Sequence, residues 1–156
     1  MKFTRRFSMA IPALLICQAM APELRAQSYG ATAIQGAWSV DIDSQDTPDF
    51  HSFVTYSAGG TTVEHNGAPG GSGPATGTWE FLGAGEFGAT WLKPIWNPQT
   101  GTLIATVEIR ARIRMISADQ YESHDKVEVY LPDGTLVLST TAVQTGKRIK
   151  VEPVNW

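Results

Sequence analysis

Apolar and polar residues alternate along most of the chain after residue 36, and most regularly across residues 101–117, GTLIATVEIRARIRMIS. Leu103, Ala105, Val107, Ile109, Ala111, Ile113 and Met115 form one row, while Thr106, Glu108, Arg110, Arg112 and Arg114 form the other. A period of two sustained this far predicts a strand with one side toward an apolar interior and the other toward water. At about 3.3 Å per residue the run is long for a sandwich strand and suits one that curves around a barrel.

The same alternation predicts seven more strands, at 38–43, 50–57, 61–65, 78–82, 86–93, 120–131 and from 135 to about 151. Glycine-bearing turns separate several of them: Ala58-Gly59-Gly60, Gly83-Ala84-Gly85 and Pro132-Asp133-Gly134. Gly146 is expected to mark a bulge in the last strand. Residues 66–77, NGAPGGSGPATG, read as a mobile loop; a strand follows it, so it lacks the helix N-terminus a phosphate cradle needs. Residues 94–99, with Trp96, form another loop. No stretch carries a sustained helical period. Sequential strands joined by short turns predict an all-β fold, an eight-stranded antiparallel up-and-down barrel with room for one small ligand.

One register follows from burial. With 117–119 as the loop and Ile116 opposite Gln120, Val107 faces Val129, Ile109 faces Val127, and Arg114 meets Glu122 on the wet side. Shortening the loop to two residues would set Met115 against Glu122 and mix the faces, which burial forbids. This register turns Tyr121, Ser123 and Asp125 inward, with Asp125 opposite the small Ala111. An inward carboxylate in mid-strand needs a partner, and Thr140 or Thr141 on the next strand is the expected one.

The first 26 residues stand apart. Lys2, Arg5 and Arg6 precede an apolar run from Met9 to Ala21 that is too short to span a bilayer, and Leu24-Arg25-Ala26 suits a cleavage site. Residues 1–26 therefore read as a signal peptide, 27–35 as a flexible leader and 36–156 as a single barrel domain. The protein is expected to be exported, periplasmic or extracellular, with no stable membrane anchor after cleavage. Cys17, the only cysteine, leaves with the signal, which excludes disulfides, thiolate metal ligands and cysteine catalysis. Loss of Lys2, Arg5, Arg6 and Arg25 together with Glu23 moves the net charge from −3 to −6, which argues against a nucleic-acid partner.

Candidate chemistry is sparse. Asp41, Asp43, Asp46 and Asp49 lack the glycine and terminal glutamate of the twelve-residue calcium loop and read as an acidic strand-end loop. His51, His65 and His124 do not make a metal site: a Gly59-Gly60 turn sets the first two on opposite faces. No serine sits on a nucleophile elbow or beside a histidine at a suitable turn, so no catalytic residue and no cofactor is assigned. Arg110, Arg112 and Arg114, interleaved with Glu108, Glu122 and Glu128, read as a solvated sheet face. Tyr56, Trp79, Trp91, Trp96, Tyr121 and Asp125 are the candidate pocket residues, because ligand cavities are mostly apolar with a few polar groups.

Gly36-Ala37-Trp38 opening the first strand, with Lys147-Arg148 in the last strand of an eight-strand meander, resembles the calycin superfamily of lipocalin-like barrels. The resemblance covers most of residues 36–152 and implies that Trp38 closes the floor with Arg148 packed across it. Gly77-Thr78-Trp79 repeats the motif and is similar to avidin-type barrels, whose polar ligand motif does not align here. The typical lipocalin C-terminal helix is missing. Three functions fit: a binder of a small apolar or aromatic ligand, a barrel isomerase or cyclase using Asp125, or a structural protein with a filled interior.

Overall fold

The computed structural model describes residues 29–45, 47–66 and 73–154. The expected signal peptide, Asp46 and the centre of the glycine-rich loop lie outside the described residues.

Eight strands follow one another: β1 (Gly36–Ser44), β2 (Thr47–Tyr56), β3 (Thr61–Asn66), β4 (Ala75–Gly83), β5 (Glu86–Trp96), β6 (Leu103–Ser117), β7 (Gln120–Tyr130) and β8 (Leu136–Arg148). Each pairs antiparallel with the next, and β8 returns to β1, closing the barrel. Closure removes the free edges that an open sheet of this length would expose. β6 is the longest strand and its apolar row faces the interior as predicted.

The β6–β7 register is the one burial demands: Val107↔Val129, Ile109↔Val127, Ala111↔Asp125 and Arg114↔Glu122. The turn differs. Ser117, not Ile116, pairs with Gln120, and the ladder shifts between Met115 and Ser117. The connection is thus two residues long, and a bulge at Ile116 restores the phase that a regular two-residue turn would have lost.

Three other expectations change. β4 starts at Ala75, inside the stretch read as loop. β5 runs on through Pro94 to Trp96; β4 supplies partners only up to Leu92, so the missing N–H of Pro94 falls beyond that ladder. Gly146 sits in regular pairing with both Tyr121 and Val40 rather than in a bulge.

The two ends of the barrel are unlike. At the floor, Trp38, Val40, Phe87 and Tyr121 are fully buried. Residues 30–35, expected as flexible leader, form a turn held by Ala33 N–H to Gly30 O and Gln35 N–H to Thr32 O, and Ile34 is completely buried beneath the core. At the other end, the mouth, the inward-facing Val107, Val127 and Val129 remain partly exposed. One half is packed and the other is open to solvent.

Candidate functional site

The floor is built around Trp38. Its indole N–H donates to Ile34 O at 2.8 Å, and the Arg148 guanidinium lies 4.2 Å from its ring centre, the stacked pair that the calycin resemblance implies. Arg148 also donates to the carbonyls of Gln35 (2.6 Å), Ala118 (2.9 Å) and Ala33. One planar fork thus ties the N-terminal turn to the last strand and to the β6–β7 turn.

At the same end, opposite Gly36, Tyr56 is fully buried and forms edge contacts with Tyr121 (6.3 Å), Trp91 (6.2 Å) and Trp79 (6.4 Å). The structure therefore brings four of the candidate pocket residues together. Trp91 donates to Thr62 Oγ1 at 3.2 Å and Trp79 to Ser57 O at 3.0 Å. Trp96 is not among them. Alternation from the inward Trp91 puts it outside, where it is 51% exposed.

A polar layer crosses the interior next to these rings. Asp125 is buried, as its register predicts, but its partners are Ser123 Oγ and Gln144 Nε2, not Thr140 or Thr141. Gln144 is the longer inward side chain of β8, and it reaches the carboxylate diagonally across the Asp125↔Ala142 pair. Burial pushes the Asp125 carboxyl up to about 7, against the opposing pull of Ser123 and Gln144.

Glu64 and Lys93, to which the sequence pattern assigned no role, complete the layer. Both are buried. Ser52 donates to Glu64 at 2.9 Å. Burial pushes the Glu64 carboxyl up and the Lys93 ammonium down, while each stabilises the other's charge. Ala75, paired with Glu64 on β4, leaves the space across which β3 and β5 communicate. The available signal was phase: Glu64 follows Thr62, and Lys93 follows Ala89 and Trp91, at two-residue steps in the inward rows.

Among the described residues, three buried side-chain oxygens find no hydrogen-bond partner: the hydroxyls of Tyr56, Tyr121 and Thr140. Burial, first of all, pushes both tyrosine hydroxyls up, so both stay protonated. They lie near enough to share a loose hydrogen bond with one another and feel Asp125 and Glu64, but among the described residues neither meets a further partner. Such groups are uncommon in a folded interior and each costs about 1–3 kcal/mol when left unpaired.

The outer wall is different in kind. Arg110 pairs with Glu128 and Glu108, Arg112 with Glu86 at 2.6 Å, and Arg114 with Glu122 at 3.3 Å, the solvated face predicted for these arginines. His51 and His65 are both exposed on this face rather than on opposite ones. β2 and β3 meet through residues 58–60, so Phe53 pairs with His65 and the phase is one residue from that of a two-residue turn. His51 does stand beside a serine: Nε2 lies 3.0 Å from Ser39 Oγ and Nδ1 2.8 Å from Asp41. The chain of contacts has the composition of a hydrolytic triad. Ser39, however, is paired in mid-strand on both sides, so the nearby backbone amides serve the β-ladder rather than an oxyanion.

No protein-family model and no curated protein sequence matches the chain. Solved structures do match in shape. The structure of EF1p2_mFAP2b bound to DFHBI superposes with a TM-score of 0.58 at 14% identity, covering 76% of this chain and 95% of that one. A redesigned beta barrel, b11L5F_LGL, gives a TM-score of 0.47 at 13% identity over 76% of this chain and 94% of its own. The chain is a closed up-and-down barrel. At such identities, likeness speaks for the fold alone.

Proposed function

We propose that the protein is an exported barrel of the lipocalin-like, calycin type that binds a small ligand in the mouth half of its interior, against the polar layer. The observation that carries this reading is the pair of buried tyrosine hydroxyls, Tyr56 and Tyr121, which have only one another beside Asp125 and Glu64 and meet no further partner. A protein whose interior served stability alone would gain by replacing them with phenylalanine, whereas a ligand that hydrogen-bonds them repays their desolvation. Partial exposure of inward Val107, Val127 and Val129 supports entry from the mouth. The filled-barrel alternative describes the floor half and fits the mouth half poorly. Export rests on the signal-like residues 1–26, and N-terminal sequencing of the native protein should find Gln27 first.

Native mass spectrometry of protein purified from its own host tests the binding reading. A co-purifying small molecule supports it; consistent absence at good recovery, with no binding of added probes, overturns it. DFHBI, to which EF1p2_mFAP2b is bound, is a sensible first probe. A second reading, an isomerase or cyclase, is favoured by one feature: Asp125 carries a carboxyl set near neutrality, as a general acid or base requires. Asp125→Asn separates the two, since an enzyme loses turnover while keeping its substrate affinity.

A further inference from the structure

We infer that the ligand held against the interior polar layer carries a cationic amine head, with its hydrocarbon body directed toward the mouth. This rests on the binding reading and adds the chemical class.

The ionisable groups facing the layer are Tyr56 from β2, Glu64 from β3, Lys93 from β5, and Tyr121 and Asp125 from β7. Among the described residues, the inward rows of β1, β4, β6 and β8 add none except Arg148. Arg148 lies against Trp38 at the floor and is held there by three backbone carbonyls. The tyrosines stay neutral. The layer thus holds two carboxylates and one ammonium, and Lys93 is matched by Glu64.

Asp125 is left over. It receives two hydrogen bonds, from Ser123 and Gln144, but among the described residues it meets no cation of its own. Burial pushes its carboxyl up to about 7, so without a counter-charge it takes up a proton, and a monocation beside it stabilises the ionised form. The hydroxyls of Tyr56 and Tyr121, which have only one another, supply lone pairs for ammonium N–H groups. A carboxylate head would instead bring a third acid into the same layer. Small neighbours make the room, with Ala111 and Ala142 paired to Asp125 on either side.

Titration calorimetry with three probes of equal tail length, octylamine, octanol and octanoic acid, tests the inference on the mature protein. Octylamine binds most tightly, by about tenfold or more over octanol, with octanoic acid weakest. Between about pH 6 and pH 8.5 octylamine stays charged while Asp125, pushed to about 7 by burial, ionises, so its affinity rises several-fold and the octanol affinity does not. Asp125→Asn, checked for folding by circular dichroism, abolishes both the amine preference and its pH dependence. Should the variant fail to fold, the wild-type pH series decides alone. Octanol binding as well as octylamine, or octanoic acid binding best, overturns the amine head and leaves interior binding standing. Binding of none of the three, at any concentration they dissolve to, overturns both.

Discussion

The ring of Tyr121 occupies the space that a side chain at position 146 would need. A Cβ added to Gly146 would stand 2.2 Å from Cε1 and 2.3 Å from Cζ of that ring. The glycine is therefore not a bulge in β8. It is the socket that lets Tyr121 lie flat enough to meet Trp38 at 4.9 Å and Tyr56 at 6.3 Å.

Gly146→Ala is accordingly expected to destabilise the protein by about 2 kcal/mol, the range of an overpacked core, because the obstacle is a buried ring with nowhere to go. Urea denaturation monitored by tryptophan fluorescence measures this. A midpoint equal to wild type would mean that Tyr121 does not sit over Gly146. By contrast Gly59→Ala, where an added Cβ meets nothing within 4 Å, serves as the neutral control.

Arg148 and Gly36 are related in the same way, since a Cβ at Gly36 would lie 2.8 Å from Arg148 Nη1. The glycine of the Gly36-Ala37-Trp38 motif thus makes room for the guanidinium, and its φ of 124° lies in a region glycine tolerates. Arg148→Lys keeps the charge and loses the fork that bonds Ala33, Gln35 and Ala118 together. It should cost about 1–2 kcal/mol, at about 1 kcal/mol for each net hydrogen bond lost. Hydrogen exchange offers the sharper measurement: amides of residues 33–37 exchange faster in the variant, while those in the middle of β6 and β7 do not.

The polar layer makes stability depend on pH. The carboxyls of Asp125 and Glu64 both titrate higher folded than unfolded, because burial penalises their charged forms. A raised folded value means the folded state holds its protons longer. The resulting contribution is fully present below about pH 4, declines as pH rises, and for Asp125 is gone above about 7. Each tenfold gain in proton affinity on folding is worth about 1.4 kcal/mol, so Asp125 contributes on the order of 4 kcal/mol across that span. Asp125→Asn should flatten the profile and be more stable than wild type at about pH 8. Chemical denaturation from about pH 4 to pH 8.5 decides it, and a wild-type profile that rises toward the alkaline end would contradict it.

The barrel and its site were legible to different depths. Alternation unbroken from Ala105 to Met115 made β6 readable, and its phase dictated the facing of β7, including Asp125. The bulge at Ile116 escaped because a three-residue loop and a two-residue turn with one extra residue give the same facing. The partner of Asp125 depended on side-chain reach: Thr140 and Gln144 share the inward row of β8, and only the glutamine spans the diagonal. Glu64 and Lys93 stood in inward phase all along, but weight placed on apolar residues hid two charges among them. Residues 30–35 were illegible for another reason: a turn held by Arg148, more than a hundred positions away, leaves no local pattern.

The mouth half can be closed without disturbing the floor. Val127 faces inward between Ile109 and Thr140, yet it is only partly buried, so a larger side chain has solvent-facing space to grow into. Val127→Trp should therefore keep stability within about 1 kcal/mol of wild type while obstructing the route to Asp125. Its outward counterpart is Val143→Trp, at a position 44% exposed on the far side of β8 from the interior. Binding of any interior probe should fall by about tenfold or more in the first variant and stay unchanged in the second, as read by titration calorimetry. The reverse, affinity kept in Val127→Trp and lowered in Val143→Trp, would place the probe outside the barrel, in the groove that Val143 lines with Asp41, Asp43 and His51.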